Sequence, residues 1–140
     1  MTFEDLDIMA KTMWGESRNQ DTSGQIAVAS VIKNRAEARR WYGNTPKEVC
    51  LKEWQFSCWN EGDPNKEKME NLPMVDEVYL KMFALAHLVL EEKIKDNTEG
   101  STHYHTTNIM PKWAQGQTPV VTIGDHKFYN NILIHFPIMF

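Results

Sequence analysis

Glu16 is the residue whose chemistry fits its position least. In the stretch "KTMWGESRNQ", residues 11–20, a helical wheel advances about 100° per residue. Relative to Met9 it puts Leu6 at roughly 60°, Met13 at roughly 40° and Glu16 at roughly −20°. A carboxyl thus shares the apolar stripe that should face the core, where it is costly without a partner. Apolar neighbours that desolvate an acid raise its pKa, and such an acid at a cleft mouth can protonate a glycosidic oxygen. The same placement also fits a structural acid whose tip reaches Arg18 or Arg35, or a helix that ends before it.

Two other stretches carry candidate contacts. "KEWQFSCWN", residues 52–60, interleaves Trp54, Phe56 and Trp59 with Gln55, Ser57 and Asn60. Aromatic faces stack on sugar rings while amides and hydroxyls pair with sugar substituents, although an aromatic core cluster has the same composition. "STHYHTTNIMPKWAQG", residues 101–116, offers His103, Tyr104, His105 and Trp113. Tyr104 reads as lining a cleft and Trp113 as packing or stacking. A His-x-His pair on a strand could bind zinc, but a site needs a third protein ligand and His126 is the only nearby candidate. There is no HExxH helix, GxSxG elbow, phosphate-binding loop or dinucleotide fingerprint. Neither a metal nor a cofactor is expected. Cys50 and Cys58 are too few for a disulfide framework and read as two small buried hydrophobes, with no base-bearing motif beside them.

The elements that must position these residues follow from caps and periodicity. A first helix is expected over Phe3–Ser17 with Thr2 as N-cap and Asp5 in its first turn. Thr22-Ser23-Gly24-Gln25 reads as a capping box opening a second helix, whose body "IAVASVI" is apolar nearly all round and so buried on most sides. Thr45-Pro46-Lys47-Glu48 repeats the signature for a short third helix. "NEGDPNKEKMEN", residues 60–71, reads as a polar loop covering little core. Pro73 should start the longest helix, with Val75, Val78, Met82, Leu85 and Val89 as its stripe. After Gly100 the chain looks irregular until "PVVTIGDHKFYNNI", which alternates around the hairpin signal Gly124-Asp125. The expected fold class is α+β: four helices, one central and buried, then a long aromatic loop and a C-terminal β-hairpin.

The 140 residues, 41% apolar and 24% charged, suit one ordinary domain over 1–140. A net charge of −4 gives no field to recruit a phosphate backbone, so nucleic acid is not an expected partner. The acidic opening "MTFEDLDIMAK" lacks the apolar core of a secretory signal, and no run reaches the roughly 18 apolar residues that span a bilayer. The expectation is a monomer made in the cytoplasm, without membrane insertion.

Taken in order, "AKTMWGESRNQDTSGQIAVASVIKNR", "WQFSCWN", "THYHTTNIMPKWAQG" and "TIGDHKFY" resemble the spore cortex-lytic, cell-wall-hydrolase family, which includes phage endolysins. The resemblance runs from about Leu6 to Tyr129. It implies a small relative of lysozyme and the lytic transglycosylases, with the family's catalytic glutamate at Glu16. It places the Gln-Phe-Ser piece on Gln55, Phe56 and Ser57, and the His-Tyr and Pro-x-Trp pieces on His103, Tyr104, Pro111 and Trp113. The closing Ile-Gly-x-His-x-Phe falls on Ile123, Gly124, His126 and Phe128. Where the family often has a second glutamate after the helix turn, this chain has Gln20. With Trp54 added on stacking grounds, the expected substrate contacts are Trp54, Gln55, Phe56, Ser57, His103, Tyr104 and Trp113.

The implied substrate is bacterial peptidoglycan, cut between N-acetylmuramic acid and N-acetylglucosamine. Most glycosidases use two carboxylates, yet Glu53, Asp63 and Asp125 all fall in polar, exposed stretches. A lytic transglycosylase needs one acid, because the muramic C6 hydroxyl attacks its own C1 and yields a 1,6-anhydro product. The favoured expectation is therefore a lytic transglycosylase acting on the wall after release, as a phage-type endolysin. A hydrolytic muramidase and a non-catalytic glycan-binding module are the alternatives.

Overall fold

The computed structural model describes residues 1–132. The first helix, α1 (Phe3–Ser17), opens on a complete capping box: Thr2 Oγ1 accepts from the Asp5 N–H at 3.1 Å and Asp5 Oδ2 accepts from the Thr2 N–H at 3.0 Å. The other oxygen of Asp5 accepts from the Lys47 N–H at 3.1 Å, tying α1 to the start of α3 (Pro46–Leu51). Thr45 caps α3 as expected, with Pro46 in its first turn. The stripe on α1 is real: Leu6, Met9 and Met13 are buried.

The second helix, α2 (Thr22–Ala38), is buried through Ala27–Ile32 and packs on α1 and α3. Its cap differs from the expectation. Asp21 is the N-cap, accepting from the Gly24 N–H at 3.0 Å, and Thr22 is already helical. Asp is as good a cap as Thr, so two overlapping signals compete and the more N-terminal one wins.

Two expectations between α3 and the sheet are corrected. The polar stretch from residue 60 contains a helix, α4 (Pro64–Glu70), capped by Asp63 with Pro64 in its first turn. It buries Met69 completely; five polar residues and a proline around one methionine hide it in the sequence. The later helix, α5 (Glu77–Leu90), starts at the Asp76 cap rather than Pro73, and α2 is longer. The expected stripe fails at its N-terminal end, where Val75 is 81% exposed and Val78 40%. The buried face is Tyr79, Met82, Leu85, Ala86 and Val89, with the Tyr79 hydroxyl donating to Asp7 on α1 at 2.6 Å.

The hairpin at Gly124-Asp125 is present as β2 (Val121–Ile123) and β3 (His126–Tyr129), with Ile123 opposite His126. A third strand lies in the stretch expected to be irregular: β1 (His103–Thr106) pairs antiparallel with β3, giving the order β1-β3-β2. The described residues thus hold five α-helices and a three-stranded sheet, with short 3₁₀ turns at Ser57–Trp59 and Lys112–Ala114. The α+β class stands. None of the helices described is long and apolar enough to cross a membrane.

Candidate active site

Alternation along β1 sorts the aromatic stretch onto two faces. His103 and Tyr129 are paired on one side, Tyr104 and Phe128 on the other. The first face packs on Trp113, whose ring centroid lies 5.3 Å from His103, 5.7 Å from His105 and 5.2 Å from Tyr129. His105 spends both ring nitrogens there: Nδ1 donates to the Thr106 carbonyl at 2.7 Å and Nε2 accepts from the Tyr129 hydroxyl at 2.8 Å. His103 pairs with the Thr102 hydroxyl at 2.8 Å, and burial, aided by the charges of Arg35 and Arg40, pushes its pKa down to about 3.

The second face meets Glu16. The Tyr104 hydroxyl donates to Glu16 Oε1 at 2.6 Å, the length of a charge-assisted bond. The ring of Tyr104 is held by Phe56, Phe128 and, edge-on at 5.0 Å, His126. The thiol and backbone of Cys58 also lie beside the Glu16 carboxyl and help to pull its pKa down. Gly15 makes that approach possible: a Cβ there would lie 2.9 Å from Cys58 Cβ and 2.5 Å from the Met69 sulfur. Both cysteines are buried and free. The Cys58 thiol is therefore more than packing, contrary to the reading that nothing base-like lies beside it. Burial, and then the Glu16 carboxyl, push its pKa up, so it stays a protonated donor.

Glu16 is desolvated at the carboxyl while part of its surface opens to solvent. Desolvation is the largest influence and raises its pKa above the usual carboxylate value. Tyr104, Cys58 and the more distant charge of Arg35 pull it down but do not cancel the rise. The two arginines considered as structural partners are engaged elsewhere in part. Arg18 lies over the Trp14 ring and donates to Asn65 at 2.8 Å. Arg35 is buried between Tyr42 and Phe56, donates from Nε to the Thr102 carbonyl at 2.6 Å, and its charge pulls the Glu16 pKa down.

The open side of Glu16 faces a cleft of about 370 Å³ lined by Asn19, Gln20, Thr106, Thr107, Asn108, Asp125 and His126. An adjoining hollow brings in Ser57, Asn65, Tyr104 and Ile109 around the same carboxyl. The cleft is closed at one end by a two-point clamp. Gln20 Nε2 donates to Asp125 Oδ2 at 3.0 Å, and the Asp125 N–H donates to Gln20 Oε1 at 3.1 Å. Gly124, with φ +55°, leaves room for that clamp, since a Cβ would meet Gln20 Oε1 at 2.3 Å.

Of the residues expected to touch substrate, Ser57 and Tyr104 border the cleft with Glu16. Gln55, Phe56 and His103 are buried outside it, and Trp113 packs on the far face of the sheet. Trp54 is exposed but lines a separate pocket. Their placement shows a supporting layer: Phe56 props Tyr104, and Tyr104 orients Glu16. The polar lining at Asn19, Gln20 and Thr106–Asn108 carries no sequence signal of its own, since the amides and hydroxyls of "HTTN" are less conspicuous than the aromatics beside them. Asp125, expected in an exposed stretch, is exposed and also lines the cleft.

This arrangement of one desolvated acid at the end of α1, facing a small antiparallel sheet, can be placed among known proteins. The model of the family described as Cell Wall Hydrolase matches residues 19–129. The chain belongs to that family. The solved catalytic domain of the germination-specific lytic transglycosylase SleB from Bacillus anthracis superposes with a TM-score of 0.70 at 26% identity, covering 91% of this chain and 95% of that one. The SleB catalytic domain of Bacillus cereus gives 0.68 at 25% identity, covering 91% and 90%. Among curated proteins, the spore cortex-lytic enzyme of Bacillus cereus is 27% identical over 127 residues, 89% of this chain and 43% of that protein. The spore cortex-lytic enzyme of Halalkalibacterium halodurans is 24% identical over 129 residues, 90% of this chain and 34% of that protein. The chain thus spans less than half the length of these curated relatives. The lysozyme-like fold expected from the motifs is the fold of the SleB catalytic domains, and the family is the one the motifs resemble.

Proposed function

We propose that this domain degrades peptidoglycan as a lytic transglycosylase, with Glu16 as acid and then base. One observation carries the reading: a carboxyl with a raised pKa, oriented by the Tyr104 hydroxyl at 2.6 Å, on an open polar cleft. Family membership and the SleB catalytic domains support the substrate class. With Oε1 accepting from Tyr104, the transferable proton sits on Oε2. Glu16 gives it to the glycosidic oxygen, the C1–O bond breaks, and the N-acetylglucosamine hydroxyl leaves. The resulting carboxylate takes the proton of the muramic C6 hydroxyl as O6 bonds to C1. Proton and atoms balance without an external water, and the internal attack gains from proximity.

A second reading has a specific observation behind it. Asp125 shares the cleft with Glu16, so a second carboxylate is at hand to activate water and make the enzyme a hydrolytic muramidase. Mass spectrometry of digested sacculi separates the two: 1,6-anhydromuramic ends support the transglycosylase, reducing muramic ends support hydrolysis. Glu16→Gln keeps shape and removes the proton, and should cost at least about 10²–10⁴ in turnover. A folded mutant lysing walls at a tenth of the wild-type rate or better would make Glu16 structural and refute this mechanism; the glycan-binding module survives only if the wild type shows no turnover.

The biological role proposed with this activity is that of a phage-type endolysin, made in the host cytoplasm, monomeric, and acting on the wall after release. Expression in a bacterial host tests it. Lysis should wait for membrane permeabilisation; lysis without it would refute cytoplasmic retention.

A further inference from the structure

Trp54 is the feature that the cleft leaves unused. It is 46% exposed, and its backbone lies at φ +66°, a conformation that suits glycine and that bulky residues rarely adopt. Neither core packing nor the local turn explains a tryptophan there. Its ring lines a pocket of about 290 Å³ together with Leu51, Lys52, Trp59, Asn60 and Glu61. Trp59 is fixed in that wall because its Nε1 donates to Thr12 Oγ1 at 2.8 Å. Two indoles with an amide and charged groups around them are the furniture of a carbohydrate subsite: ring faces for the sugar, polar tips for its hydroxyl and acetamido groups.

The pocket is also continuous with the catalytic region along the chain. Ser57 and Asn65 border the Glu16 hollow, while Trp59, Asn60 and Glu61 between them line the Trp54 pocket. Thr12, which anchors Trp59, stands one helical turn before Glu16 on α1, about 6 Å along the axis. We infer that the Trp54–Trp59 pocket is a second, non-catalytic binding site for the glycan strand of peptidoglycan. It holds the polymer on the far side of residues 57–65 while another part of the strand occupies the Glu16 cleft. The inference rests on the peptidoglycan reading above, but its test is binding, not turnover.

The probes are purified sacculi and a soluble β-1,4-linked N-acetylglucosamine tetramer. At 4 °C, Trp54→Ala should bind sacculi about three- to tenfold more weakly than the wild type, while Trp54→Tyr, which keeps a stacking ring, should stay within about twofold. Titrating the tetramer into the unmutated chain should shift the Trp54 indole resonance in a saturable manner. This measurement does not depend on any variant folding. In Trp54→Ala the tetramer should still shift Thr106 and His126, as expected for two separate sites. Wild-type sacculus affinity in Trp54→Ala, or a Trp54 indole that does not respond, overturns the inference. Glu16→Gln turnover bears only on the catalytic reading, so the two can fail independently.

Discussion

Tyr104→Phe isolates the contact on which the mechanism depends. The substitution removes one hydroxyl from a ring that is 2% exposed and keeps its packing on Phe56, Phe128 and His126. Tyr104 remains a proton donor throughout the working range, because burial and then the Glu16 charge push its phenol far up. A hydrogen bond to a charged group is worth about 1.5–3 kcal/mol. Here it favours the ionised form of Glu16 and partly offsets desolvation. Without it the carboxylate loses support, so Glu16 holds its proton to higher pH. One pKa unit corresponds to about 1.4 kcal/mol, so the descending limb of kcat/KM against pH should move up by about one to two pH units. The low-pH plateau should fall roughly tenfold, since the carboxyl is no longer held for transfer.

The assay is lysis of purified walls across pH, with chemical denaturation on the same preparation to show that the fold persists. Glu16→Gln is the control and should abolish the limb. A limb that stays in place, or moves down, would mean that Tyr104 does not set the protonation of Glu16.

Cys58→Ser should keep both the donor and the activity to within a few-fold. Cys58→Ala should raise the descending limb in the same direction as Tyr104→Phe, because the thiol also favours the ionised acid; equal pH profiles for the two would refute the contact. Gly15→Ala drives a methyl to 2.9 Å from Cys58 Cβ and should cost about 1–3 kcal/mol by denaturation, with activity lost alongside. Stability should depend on Glu16 with a definite sign. Its folded pKa lies above its unfolded one, so the native state binds more protons between the two. Wild-type stability then falls as pH rises from the unfolded value to the raised folded one and levels off above it. Glu16→Gln escapes that loss, so its advantage over the wild type should grow from pH 4 toward neutrality; an advantage independent of pH would refute the linkage.

What could be read from the residues follows how local each signal is. In the caps of α1 and α3 the two partners are three residues apart, and Thr2 with Asp5 and Thr45 with Glu48 were legible because nothing distant competes with them. Glu16 was legible for a similar reason: its stripe partners Met9 and Met13 are on its own helix. The α4 helix was not, since the value of Met69 depends on Gly15, fifty-four positions earlier, admitting it. The stripe of α5 slipped because a valine count cannot tell where a helix meets its neighbours, and Tyr79 joins the core through Asp7 on α1.

The cleft itself is the least local feature of all. Gln20 on the α1–α2 turn and Asp125 on the β2–β3 turn are 105 positions apart, yet they close one wall as a reciprocal pair. Either residue alone is an ordinary polar turn residue. The polar wall becomes visible only after β1 has been paired with β3, which sets His126 opposite Thr106 and turns the hairpin tip toward the end of α1. Aromatic residues are rare and conspicuous in the sequence, but pairing sends most of them inward, where Phe56 and Phe128 support Tyr104. The result is a division of labour: rings hold the acid's one partner in place, while short amides and hydroxyls meet the solvent in which a sugar would arrive.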